Sequence, residues 1–184
     1  MASENLIIED ANVVFRNFAG REGMYNAEGQ RNFCVILDDK PAEEMAADSW
    51  NIKYLKAREE GDTPTPYVQV AVGFKGRPPK LVLITSRGKT ELDEDEAELL
   101  DWVDIAGVDL IIRPYNWSVN GKSGVKAYLK SIFVTVDESA LDIKYAEVPE
   151  LERNAQPAIE GAKLAIESGD DGDIIDAEIV DDDE

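Results

Sequence analysis

Apolar and polar residues alternate with the period of an extended strand in several segments of this chain. The alternation is clearest over 67–76, where Val68, Val70, Val72 and Phe74 fall on one side, as expected of a strand with one buried face. Segments that alternate in this way, or that are rich in Val, Ile, Phe and Tyr between turn residues, predict strands. They cover 5–18, 31–37, 51–56, 67–76, 80–85, 108–119 and 124–136.

Two segments show helical spacing instead. In 40–50, Pro41 lies in the first turn and acidic residues follow it, which suits a helix N-terminus. In 93–102, Ala97, Leu100 and Trp102 are expected to face a core, and the acidic residues of the segment are expected to face solvent. Many short strands with two short helices predict a mostly β fold, either a sandwich or a small barrel.

Acidic residues are concentrated toward the C-terminal end. The net charge is −20, but residues 137–184 hold 17 acids and 3 bases, whereas residues 1–136 hold 22 acids and 16 bases. Residues 168–184 contain nine acids, no base and no aromatic residue, so we expect a disordered acidic tail there. A partly ordered linker is expected over 149–167, after a folded domain over 1–148. Four aliphatic residues of the tail are expected to contact partner proteins: Ile174, Ile175, Ile179 and Val180.

A hairpin is predicted around Asn120-Gly121, because this dipeptide between two alternating segments is a strong signal for a two-residue turn. The numbers of paired residues then sum to 241, and this register decides which side chains share a face. One face is mostly apolar. On the other, Gly124 lies opposite Trp117 and would leave the indole face uncovered. That second face combines rings with cations: Arg113, Tyr115, Trp117, Lys126 and Tyr128.

Rings alternating with cations suit a single-stranded nucleic acid, because bases stack on rings while Lys and Arg contact phosphates. The competing interpretation is that these rings pack on neighbouring elements and the cations only cover a surface. Small outer residues of 67–76, such as Ala71 and Gly73, would let a base approach closely. Further cations predicted to contact the nucleic acid are Lys53, Lys56, Lys75, Arg77, Lys80, Arg87, Lys89, Lys122 and Lys130.

A loop over 15–31 contains three glycines together with spaced arginines and rings. It is predicted either to clamp a strand of nucleic acid or to be an ordinary long hairpin loop. Its candidate binding residues are Arg16, Phe18, Arg21, Tyr25 and Arg31.

Several enzyme classes are excluded by composition. The chain has no histidine, which removes Ser-His-Asp and Cys-His catalysis and the usual zinc sites. Gly88-Lys89-Thr90 and Gly121-Lys122-Ser123 lack the earlier glycine of a phosphate-binding loop. The cluster Asp93-Glu94-Asp95-Glu96 with Asp101 and Asp104 could bind Mg²⁺, but a solvated acidic helix face explains these acids more simply. We therefore expect no enzyme activity, no cofactor and no metal.

Three runs resemble phage-encoded single-stranded-DNA-binding proteins: 29–38, 50–56 and 124–131. The resemblance covers roughly 5–148, and the acidic tail also fits it. It implies an OB-fold, a five-stranded barrel with extra strands, that binds single-stranded DNA with little sequence preference during phage replication or recombination. The tail would autoinhibit the domain or recruit replication proteins, although it ends on acids where tails of the family commonly end on an aromatic or aliphatic residue.

Two other functions fit parts of the sequence. An acidic DNA mimic that inhibits a host nuclease or DNA-binding protein would explain the charge, and a carboxylate–metal nuclease would explain the acidic cluster. The compartment is expected to be the cytoplasm of an infected bacterium, because Cys34 is the only cysteine and no signal peptide is visible. The expected partner is single-stranded DNA, with no membrane and no small-molecule substrate.

Overall fold

The computed structural model describes residues 4–149, and within this range the chain forms one nine-stranded sheet and three short helices. The elements in chain order are β1 (Leu6–Ile8), β2 (Asn12–Asn17), β3 (Arg31–Ile36), α1 (Asp39–Ala47), β4 (Ile52–Leu55), β5 (Thr65–Val72), β6 (Lys80–Thr85), β7 (Gly88–Leu92), α2 (Leu99–Trp102), β8 (Ile105–Val119), β9 (Lys122–Val136) and α3 (Ala140–Lys144).

The sheet curls because two of its strands each pair with more than two neighbours. Strand β9 pairs along its whole length with β8, while its other edge pairs first with β5 and then with β6. Strand β5 pairs with β3 on one edge and with β4 and then β9 on the other. The main path β1-β8-β9-β5-β3-β2 forms a half-barrel, which confirms a mostly β, OB-like fold.

The core fills the inside of this curl and follows the predicted alternation. Along β5, Val68, Val70 and Val72 are buried, and Phe74 packs against the core from just beyond the strand. The small helix α1 contributes Ala42 and Met45. Cys34 is also buried.

The structure differs from the prediction at several places. The helix predicted over 93–102 is helical only in its last turn, α2 (Leu99–Trp102). The predicted strand 5–18 is two strands, because the chain turns at Asp10, whose φ is +49°. Strand β7 was not predicted, since its exposed residues Gly88–Glu91 show no alternation. A third helix, α3, is added to the two expected, and Ser139 and Asp142 form a capping box at its start.

The chain divides into two compact units, 1–146 and 147–184. All the strands and helices given above belong to the first unit. The predicted linker, the acidic tail and the four aliphatic residues Ile174, Ile175, Ile179 and Val180 lie outside the described residues, apart from Pro149 at the start of the linker. In the described part of the chain, no helix is long and apolar enough to cross a membrane.

Candidate nucleic-acid interface

The β8–β9 hairpin has the register predicted from Asn120-Gly121. Arg113 pairs with Tyr128, Tyr115 with Lys126, and Trp117 with Gly124. Asn120 and Gly121 have φ angles of +52° and +78°, as a type I′ turn requires. The rings and cations of the two strands therefore share one face, and the apolar partners Ile112 and Leu129 are buried on the other.

Tyr128 is the centre of this face. Tyr115 meets it edge to face, with ring centroids 5.7 Å apart. The Lys126 ammonium lies 5.1 Å from the centre of the Tyr128 ring, and the Arg113 guanidinium lies 5.9 Å from it. Because the rings and cations hold one another, ordering them on a ligand costs less conformational entropy than ordering four independent side chains. We call Arg113, Tyr115, Lys126 and Tyr128 the ring cluster.

The indole ring of Trp117 is more buried than expected from its position opposite Gly124. A Cβ at Gly124 would lie 3.0 Å from the indole ring and 2.8 Å from Oδ1 of Asn51. The ring therefore packs down against Gly124 and is half-buried, so one face of the indole is covered rather than free. The glycine is needed for this close approach and for that of Asn51.

A groove of about 400 Å³ begins next to the ring cluster and crosses β9, β5 and β3. Gln69 and Ala71 of β5 line it, and Tyr25 lines it from the loop between β2 and β3. Tyr25 is 91% exposed, which leaves its ring free to meet a base. The complete lining is Tyr25, Gly29, Gln30, Arg31, Asn32, Asn51, Lys53, Gln69, Ala71, Val72, Lys126 and Ala127, which includes three cations and no acid.

A second depression of about 420 Å³ lies on the other side of the ring cluster. Four cations line it, Arg77, Lys80, Arg113 and Lys130, together with Asn5, Pro78, Leu129 and Ser131 and again no acid. Arg113 belongs both to this depression and to the ring cluster, and Lys126 belongs both to the ring cluster and to the groove. The three features thus form one continuous path, which we call the basic path.

The loop over 15–31 does not clamp this path as a unit. Phe18 is 1% exposed and stacks on Phe33 at 5.2 Å, so the prediction that it contacts a nucleic acid is wrong. Arg16 donates hydrogen bonds to the carbonyl oxygens of Leu100 and Val103, both at 2.8 Å. Its guanidinium is therefore committed to joining β2 to α2.

The other arginines of this loop are also occupied. Arg31 lines the groove, but it donates to the Phe18 and Glu94 carbonyl oxygens and pairs with the Glu94 carboxylate at 3.4 Å. Arg21 lies over the Trp102 ring at 4.6 Å and pairs with Glu98 at 3.7 Å. Of the five loop candidates, only Tyr25 reaches the basic path with an uncommitted side chain.

Of the remaining predicted cations, one lines the groove and the others lie outside both cavities. Lys53 lines the groove and donates to Gln69 at 3.1 Å. Lys56, Lys75, Lys89 and Lys122 are exposed but line neither cavity of the basic path, and Arg87 lies outside both cavities as well. Asn32 and Asn51 are groove residues that the sequence did not indicate, because a single amide in a strand or at its end has no periodic signature.

Burial raises the pKa of the Cys34 thiol, and the nearby Lys53 ammonium offsets only part of this rise. Burial also raises the pKa of Tyr67, with a smaller contribution from Cys34. Cys34 is therefore a neutral, buried thiol beneath the groove side of the sheet, with no nucleophilic character at neutral pH.

The sequence matches a family model over residues 1–184, the family being described as "Putative phage ssDNA-binding domain". No curated protein matches the chain at a significant level. Three solved structures have a similar fold at low identity. They are the single-stranded DNA-binding protein from bacteriophage Enc34 (12% identity, TM-score 0.47, 84% of this chain and 89% of that one), the same protein in complex with ssDNA (11%, 0.46, 73% and 88%), and gp2.5, a single-stranded DNA binding protein encoded by bacteriophage T7 (14%, 0.38, 84% and 100%).

Proposed function

The chain belongs to the phage single-stranded-DNA-binding domain family, and we propose that the basic path is the surface on which it holds the strand. The observation that carries this proposal is the absence of acids from the lining of both cavities. Seven cations line the path and no acid is among its lining residues, although one of the cations, Arg31, is paired with Glu94 just outside the groove. In a chain with a net charge of −20, the charge of this surface is opposite to that of the protein as a whole. Phosphates are attracted to such a surface, while the rest of the protein repels them.

Bases would stack on the exposed rings of the path while its cations follow the phosphates. Tyr115 is 55% exposed and Tyr25 is 91% exposed, so both can offer a ring face to a base. Stacking contributes roughly 1–3 kcal/mol per base and tolerates every base, because each has a π-face. We therefore expect binding with little sequence preference.

We expect this binding to protect single strands during replication or recombination of phage DNA in the host cytoplasm. The acidic segment 168–184 is proposed to compete with DNA for the basic path. A tethered polyanion has a high effective concentration near the path. Once DNA displaces it, its acids and the aliphatic residues Ile174, Ile175, Ile179 and Val180 become available to replication proteins.

Deletion of residues 168–184 tests the role of the tail. Truncated protein should bind oligo-dT more tightly than the full chain at low salt, and the difference should shrink as salt screens the competition. The same segment added as a separate peptide should inhibit only weakly, because tethering is lost. Equal affinities at about 50 mM salt would contradict autoinhibition and leave recruitment or solubility as the role of the tail.

The binding function itself is tested by fluorescence anisotropy with a labelled oligonucleotide, single-stranded against double-stranded, with and without Mg²⁺. We expect tight binding of the single strand, weaker binding of the duplex, and no cleavage of either. Loss of intact oligonucleotide in Mg²⁺ would instead indicate a nuclease, and failure to bind any single strand would contradict the proposal.

A further inference from the structure

A third depression, on a different part of the surface, has the opposite character to the basic path. Its volume is about 600 Å³, and β1, the start of β2, the end of β3 and α1 line it. Met45 and Trp50 line its interior and are each only 7% exposed, whereas Ile7 on β1 is 66% exposed. The depression therefore presents apolar surface to the solvent.

Acidic residues surround this apolar lining. They are Glu9, Asp10, Asp38, Glu44 and Asp48, and no Lys or Arg lines the depression. Within residues 4–149, none of these five side chains forms a salt bridge or accepts a hydrogen bond. Clustered carboxylates without a counterion repel one another, and an incoming cation would relieve that repulsion. We call this feature the acidic depression.

The backbone beside the acidic depression is also available for pairing. Strand β1 ends the main path of the sheet and pairs only with β8, through Leu6, Ile7 and Ile8, among the described residues. All three residues of β1 line the depression. An edge strand of this kind is a template for an added extended segment.

We propose that the acidic depression is a docking site for a basic segment of a partner protein, one that carries an aliphatic or aromatic anchor between its Lys or Arg residues. The anchor would lie against the exposed Ile7, next to the largely buried Met45 and Trp50, while the cations meet the carboxylates. Charge complementarity selects this occupant, because a phosphate backbone would be repelled by five uncompensated carboxylates. A second copy of the chain is disfavoured, because its acid-free cationic surface is the basic path, which DNA would occupy.

The test uses the full chain and a fluorescein-labelled short peptide of alternating Lys and Leu. The variant E9Q/D38N/E44Q removes three charges from the acidic depression, and E91Q/D95N/D104N removes three exposed charges elsewhere. We expect the first triple to weaken peptide binding by about tenfold or more and the second by less than about twofold. Equal losses would mean that the peptide responds only to net charge, which would overturn the proposal.

The apolar contact is tested by Ile7→Ser. The matched control is Leu141→Ser, because Leu141 is 64% exposed but lies on α3, outside the acidic depression. Ile7→Ser should weaken peptide binding by about tenfold, and Leu141→Ser should leave it unchanged. No effect of Ile7→Ser would overturn the proposal. So would a dimer of the full chain that Ile7→Ser dissociates, because a second copy would then be the occupant.

Oligo-dT binding, measured in parallel, should be unchanged in the two Ser variants, and the two triple variants, which lose the same charge, should bind oligo-dT equally. If the wild-type chain failed to bind oligo-dT, only the function proposed for the basic path would fail.

Discussion

Two regions of this protein share a combination of cations and aromatic rings but have different structures. The β8–β9 hairpin and the 15–31 loop each combine arginines or lysines with aromatic rings. In the hairpin, the side chains of the ring cluster remain at the surface around Tyr128. In the loop, Phe18 is part of the core, and Arg16 and Arg31 donate to backbone carbonyl oxygens. The same residue types therefore form an exposed cluster, proposed to bind DNA, in one place and internal contacts in the other.

The cause of the difference is the regularity of the backbone. In a paired hairpin, alternation places every second side chain on one face, and the apolar face takes the core position. The loop has no period of this kind, because Gly20 and Gly29 approach closely at its base and Phe15 has a φ of +51°. The direction of each side chain in the loop is set by local turns instead, and the Phe18 ring is buried in the core.

The largest difference in stability between the loop and the hairpin is expected from truncation of Phe18. Phe18→Ala should lower the free energy of unfolding by about 3–5 kcal/mol, because it removes a fully buried ring that stacks on Phe33. Tyr115→Ala, which truncates an exposed ring, should cost about 1 kcal/mol or less. Urea denaturation measures both. A Phe18→Ala protein with unchanged stability would show that the loop ring is not a core residue.

Arg16→Gln should also act on stability rather than on binding. The substitution removes a charged donor from two carbonyl oxygens at 2.8 Å, and such hydrogen bonds contribute about 1.5–3 kcal/mol. We expect a lower urea midpoint and an unchanged salt dependence of oligo-dT binding. A flatter salt dependence would place Arg16 among the residues that neutralise phosphates.

Trp117 should report DNA directly, although one face of its ring is covered. Trp117→Ala should weaken oligo-dT binding by about 1–3 kcal/mol. The change in tryptophan emission on adding oligo-dT should disappear in Trp117→Phe and persist in Trp102→Phe, since Trp102 lies beside Arg21 away from the basic path. An emission change that survives Trp117→Phe would point to a binding surface elsewhere.

The smallest expected effect is a change in salt dependence. Replacing Lys126 and Lys130 together by Ala should flatten the slope of log affinity against log salt by about 1–2, since each neutralised phosphate contributes roughly 0.7 to that slope on a single strand. The matched control replaces Lys40 and Lys144, which lie on helices α1 and α3, and should leave the slope unchanged. Equal changes of slope in the two double variants would mean that the slope depends only on the net charge of the protein.

The sequence predicted the hairpin well, because the turn dipeptide and the alternation are both local. The pairing of Trp117 with Gly124 and the inward row of β5 were confirmed residue by residue. The groove was only partly predictable. Gln69 and Ala71 belong to a recognisable outer row, but Asn32, Asn51 and Tyr25 reach the same groove from three separate segments. Which residues line the same groove depends on the pairing of strands that are far apart in the sequence, and a local sequence pattern carries no information about that pairing.

The acidic depression was not predicted for the same reason. Its carboxylates come from the β1–β2 connection and from α1 and the residues that flank it, segments that the sequence separates by a long loop and β3. Split over these segments, the acids appear as ordinary surface residues. Only the return of β3 beside β2 brings them around one apolar lining.

If the basic path is the DNA-binding surface, exposed rings should bind DNA only where they lie on that path, and a matched pair of double variants distinguishes the two positions. Tyr115→Ala with Tyr25→Ala removes two exposed rings from the path, and Phe15→Ala with Trp102→Ala removes two rings, 65% and 66% exposed, away from it. In oligo-dT anisotropy titrations, the first double variant should lose about 2–6 kcal/mol of binding free energy, and the second should match the wild type. Equal affinities of the two double variants, or a larger loss in the second, would contradict the assignment of the basic path.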